Sequence, residues 1–77
     1  MSEKTKQIDR ILRYIEEMGS ITPLEALREL GVMRLASRMS DIKSMGYNIE
    51  KSWVTAVNKW GEPVRYMRYT IKKEETE

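Results

Sequence analysis

A chain of 77 residues with no cysteine and no histidine has no route to disulfides, thiolate nucleophiles or an imidazole base, and any metal site would rest on carboxylates alone. With 40% hydrophobic and 34% charged residues it reads as one small soluble domain of marginal core size, with no apolar run near the ~20 residues that cross a bilayer. Its opening "MSEKTKQIDR" is too charged for a secretory leader, so a cytoplasmic protein is expected.

The net charge of +2 hides an asymmetry. Residues 1–31 hold five Lys/Arg against six Asp/Glu, whereas residues 32–73 hold nine against three, and the closing "EETE" returns three negative charges. Positive charge therefore gathers in the second half, the footprint expected of a chain that meets a polyanion.

The first helix is expected over about 6–18. Ile8, Ile11, Leu12 and Ile15 recur at three and four, Met18 continues the stripe, Thr5 is a candidate N-cap and Gly19 a stop. "SIT", residues 20–22, is long enough only for a bridge in a small sheet. "TPLEALRELG" carries the marks of a second helix over about 23–30: Thr22 and Glu25 at capping-box spacing, Pro23 at the first position, Gly31 past the end. Leu24, Leu27 and Leu30, with Ala26, are expected to face inward. A two- or three-residue turn leads to a third helix, about 33–45, closed by Gly46. Its inward stripe is Leu35, Met39 and Ile42, with Ala36 allowing close approach.

After Gly46 the period falls to two. "YNIEKSWVTAV" and "VRYMRYTI" alternate apolar and charged residues around "NKWGEP", which predicts a hairpin of about 48–58 and 63–71 with Pro63 at a strand start. Residues 1–5 and 73–77 are expected to fray, leaving a domain of 6–72. The order α-β-α-α-β-β makes an α+β chain, a winged helix-turn-helix with three helices and a C-terminal hairpin wing.

"GSITPLEALRELGVMRLASRMSDIKSMGYNI" followed by "NKWGEPVRYMRYTI" also resembles the small winged helix-turn-helix proteins of bacterial phages and prophages. The resemblance rests on "SIT", "LGV-RLASR", "GY-I" and "GE-VRY-RY" and covers about 6–71. It implies a DNA-binding fold and little about which gene or process is controlled; the role expected here is that of a phage or prophage transcriptional regulator. One departure stands out: the residue after "LGV" is more often Thr or Ser in such proteins, and here it is Met33. The third helix then lacks a side-chain N-cap, a deficit of about 1 kcal/mol.

In such a fold the third helix enters the major groove. Arg34, Ser37, Arg38 and Asp41 follow i, i+3, i+4, i+7. Arg34 and Arg38 are candidate base readers, since a guanidinium fork matches guanine O6 and N7. Ser37 suits a phosphate or a base, Asp41 suits orienting Arg38 or accepting from cytosine, and Lys43 suits backbone. Lys59 and Trp60 at the wing tip, with Arg65, are candidates for backbone or minor groove. Trp60 has the alternatives of folding over Pro63 or serving a dimer contact. Trp53 is expected in the core or in cross-strand packing near Arg68 or Met67. No acid–base pair, phosphate loop or cofactor site is visible, so no enzyme is expected. The partner is expected to be double-stranded DNA, bound as a homodimer. The alternative is a protein-interaction domain whose basic helix meets an acidic host or phage protein.

Overall fold

The computed structural model describes residues 2–72. Helix α1 runs Glu3–Met18. It starts three residues before the expected boundary because Ser2, not Thr5, is the cap: the Ser2 hydroxyl accepts from the Thr5 N–H at 3.2 Å. Thr5 sits one turn in, its own hydroxyl 3.0 Å from that of Ser2. Gly19 closes the helix with φ of +94° and donates to the Ile15 carbonyl at 2.7 Å, a left-handed closure that any other side chain resists. Ile8, Ile11 and Ile15 form the buried stripe; Met18 is exposed, since the core ends one turn before the helix does.

Residues 20–22 do supply a bridge. Ile21 pairs antiparallel with Tyr69, exchanging hydrogen bonds of 2.9 and 2.8 Å. Helix α2 follows at once, as Pro23–Glu25 continuing into the π-wound turn Ala26–Leu30. The capping box is complete: the Glu25 N–H donates to the Thr22 hydroxyl at 3.3 Å, and the Thr22 N–H donates to the Glu25 carboxylate at 3.0 Å. Gly31 ends the helix with φ of +70°, and the Val32 N–H reaches back to the Ala26 carbonyl at 2.9 Å. The inward residue is Ala26, with Leu30 half-buried. Leu24 and Leu27 are exposed, against expectation. Ala26 is the fully buried position of this helix, and in the π-wound turn that follows, the wider winding takes Leu27 off the inward stripe.

Val32, fully buried in the turn, enters the core before helix α3, Leu35–Ser44. That helix begins two residues later than expected. Its Leu35, Met39 and Ile42 are buried as the periodicity requires, but Ala36 is exposed rather than at a helix contact. No side chain caps it, but the capping position falls at Arg34, so Met33 lies one residue outside it and is not the cause. Lys4 of α1 and Asp41 of α3 form a 3.4 Å ion pair across the two helices.

The hairpin consists of β1, Ile49–Val57, and β2, Pro63–Ile71, in antiparallel register from Ile49 opposite Ile71 to Val57 opposite Pro63. Asn58 builds the turn. Its side-chain oxygen accepts the Trp60 and Glu62 N–H groups, both at 3.0 Å, and Gly61 supplies a φ of +82°. With the turn fixed, the register is fixed, and alternation decides the faces. Ile49, Lys51, Trp53, Thr55 and Val57 share one face with Ile71, Tyr69, Met67, Arg65 and Pro63. The base of that face joins the core through Tyr69, with Ile49, Met67 and Ile71 packed against it. Farther out it is bare: Trp53 is 59% exposed. Its placement in the core is therefore overturned. The polar tail expected over 73–77 lies outside the described residues.

The three helices and the antiparallel hairpin make a winged helix-turn-helix fold, in which the Ile21–Tyr69 bridge and the packing of Tyr69 in the core attach the hairpin to the helices.

Candidate nucleic-acid interface

Three flanks of α3 can be told apart by what borders them. The first, Leu35, Met39 and Ile42, is core. The second faces α1. There Arg38, whose side chain is 19% exposed, places its Nε 3.3 Å from Asp41 Oδ2, while Asp41 Oδ1 holds Lys4. Both atoms of the Arg38–Asp41 contact are shielded from solvent, and they meet as an ion pair without an aligned hydrogen bond. The expected orienting role of Asp41 toward Arg38 thus has its geometry, and it draws the guanidinium toward α1.

The third flank faces the hairpin. Ala36, Met39, Ser40 and Lys43 form one wall of a cleft of about 210 Å³ whose other wall is Ile49, Lys51 and Tyr69. Lys43 is thereby brought together with Lys51, which the sequence reading left out of the site. The pairing register contained the signal, because Lys51 stands opposite Tyr69 on the inward face, and a lysine there can only point along the cleft with its head in water. Between the second and third flanks lie Ser37, half-buried, and Ser44, exposed, whose hydroxyl donates to the Ser40 carbonyl at 3.2 Å. Arg34 is exposed at the N-cap, with φ of −116° and ψ of 62°.

The same sheet face continues outward from the cleft. The Arg65 guanidinium lies 4.8 Å from the centre of the Trp53 ring. Met67 stands directly opposite Trp53, as expected, and Arg65 is the diagonal neighbour two residues along β2 whose guanidinium reaches the ring. Arg68 stands on the opposite face. At the tip, Trp60 is 74% exposed with the Lys59 ammonium 4.9 Å from its ring centre; it has not folded into a pocket of the hairpin. Of the expected residues, Lys43 and Arg65 thus share one side of the molecule with Lys51 and Trp53, Lys59 and Trp60 occupy the tip, Arg34 the start of α3, and Arg38 and Asp41 the α1 flank.

Among the described residues, no group of three or more acidic side chains converges as a metal site, and no helix is long and apolar enough to cross a membrane.

Comparison with known families matches residues 6–74 to the winged helix-turn-helix domain. No curated protein and no solved structure matches the chain. Because the match spans nearly the whole sequence, the chain belongs to the winged helix-turn-helix family.

Proposed function

Starting from that membership, we propose that the chain binds double-stranded DNA, with α3 in the major groove and the hairpin along the adjacent backbone or minor groove. The observation that carries this reading is the run of Lys43, Lys51 and Arg65 along the cleft and the bare sheet face. Three cations bordering one groove-sized protrusion neutralise phosphates on either side of an inserted helix. Trp53, under Arg65, adds an aromatic surface for sugar or base. Arg34 and Ser37 extend the contact at the start of α3, and Lys59 with Trp60 extends it at the tip. Arg38 acts by bracing Asp41 and α1. The finer role, transcriptional regulation in a phage or prophage within a bacterial cytoplasm, draws its support from the sequence resemblance. A monomer offers few contacts, so a homodimer on a two-fold site is the reading that suits specific binding.

The test is fluorescence anisotropy with duplex DNA across a salt series. Binding that weakens linearly in log K against log salt supports phosphate neutralisation. Absence of binding at low salt sinks the proposal.

A second reading, a protein-docking domain, has its own observation. On the far side of the hairpin, Leu24, Ala56 and Tyr66 line a groove of about 600 Å³ together with Arg28 and Arg68. Neither arginine has an acidic partner among the described residues. Failure of DNA binding would turn attention to acidic protein segments on this groove.

A further inference from the structure

Beyond the N-cap Arg34, which carries a guanidinium fork, the outward residues of α3 have little with which to read a purine. Ala36, Ser40 and Ser44 are exposed and Ser37 is half-buried. None carries the amide or the forked cation that pairs two-fold with adenine or guanine in the major groove. Arg38, which has the fork, is drawn to Asp41. Beside Arg34 at the start of α3 stands an apolar residue: Met33 is 82% exposed, immediately before that N-cap. Position 33 lies one residue before the N-cap, so its side chain is outside the capping position of this helix. An exposed thioether in that place is neither a cap nor part of the core of the described fold. Ala36, exposed one turn on, presents a methyl group toward the hairpin cleft.

The major groove displays one apolar group, the 5-methyl of thymine. We propose that Met33, with Ala36, contacts thymine 5-methyl groups, so that the preferred duplex carries thymine opposite the start of α3, while Lys43 and Lys51 hold the flanking phosphates. This rests on the DNA-binding reading above. A flexible thioether suits the task, because it adapts its three torsions to a methyl whose position varies with base step. Burying one methyl is worth about 0.8 kcal/mol, or about fourfold in affinity.

The experiment compares four duplexes of equal length against the whole chain by competition anisotropy at one salt concentration. An alternating A·T duplex is paired with its uracil counterpart, which lacks only the methyl. A G·C duplex is paired with its 5-methylcytosine counterpart, which gains a methyl on the same groove wall. The expected result is about fourfold or greater preference for thymine over uracil, and for 5-methylcytosine over cytosine. Both ratios fall at least twofold in Met33→Ser, a variant that removes the thioether and is checked for folding by its melting curve. Equal affinity for thymine and uracil duplexes, with salt-dependent binding intact, overturns the methyl contact and leaves the DNA reading standing. Preference undiminished in Met33→Ser overturns the assignment to Met33. Binding to none of the four at low salt overturns the DNA reading itself.

Discussion

Tyr69 and Trp53 stand on the same face of the same two-stranded sheet, two rungs apart, yet one is 8% exposed and the other 59%. Strand propensity and alternation are the same for both. The difference is what lies beneath. At the Tyr69 rung the helices cover the sheet, and Ile21 pairs with the strand edge. At the Trp53 rung the cover still reaches Met67 on β2 but leaves Trp53 on β1 bare, with the Arg65 guanidinium 4.8 Å from its ring centre. One amphipathic strand pattern thus does two jobs along its length: the base closes a core, and the outer part presents aromatic and cationic groups to whatever the wing touches. An apolar alternation in a small domain is therefore no proof of burial; the number of layers available to cover it decides.

The contrast can be broken at its base. Tyr69→Ala should cost roughly 3–5 kcal/mol, as removal of a buried aromatic does. In a domain this small that approaches the whole stability, so urea melts should show a partly unfolded chain at room temperature. A loss under about 1 kcal/mol would mean that the base is no clamp. It can be sharpened farther out with the triple variant Lys43→Ala, Lys51→Ala, Arg65→Ala. Its slope of log K against log salt should be shallower by about 2.7 if each cation neutralises one phosphate. An unchanged slope removes these three from the contact. Thr22→Ala, which opens the capping box just after the bridge, should cost about 1 kcal/mol and lower the Tm by roughly 4–8 °C. The smallest stability effect belongs to Trp53→Ala: under about 1 kcal/mol, the size of one exposed cation–π contact, with a measurable fall in DNA affinity. Instability equal to that of Tyr69→Ala would erase the distinction between base and outer wing.

Local chemistry was readable from sequence, and relations between elements were not. Thr22, Pro23, Glu25 and Gly31 punctuate α2 as expected because every partner lies within a few residues. The hairpin followed from Asn58 and Gly61 for the same reason. The start of α1 was missed because Ser2 and Thr5 are equally able to cap, and the chain took the one that adds a turn. Periodicity also could not choose between two adjacent rows on α2; the row with Ala26 is the one buried, and Leu24 and Leu27 lie outside. The rotation of α3 is the case that matters for the candidate site. A helical wheel places Arg34, Ser37, Arg38 and Asp41 together, opposite the core, but Lys4 on α1 draws Asp41 and hence Arg38 to one flank, while the hairpin takes Lys43 on the other. Lys51 escaped notice because its place depends on a strand register set by the turn seven residues on.

The Ile21–Tyr69 bridge has a mechanical consequence. Two hydrogen bonds of 2.9 and 2.8 Å fasten the hairpin near its root, and from Tyr69 out to Pro63 the strand runs on as a lever of about 20 Å at ~3.4 Å per residue. A rotation of about 10° at that pivot would swing the tip by about 3.5 Å, a stroke long enough to track a backbone whose groove width changes with base step.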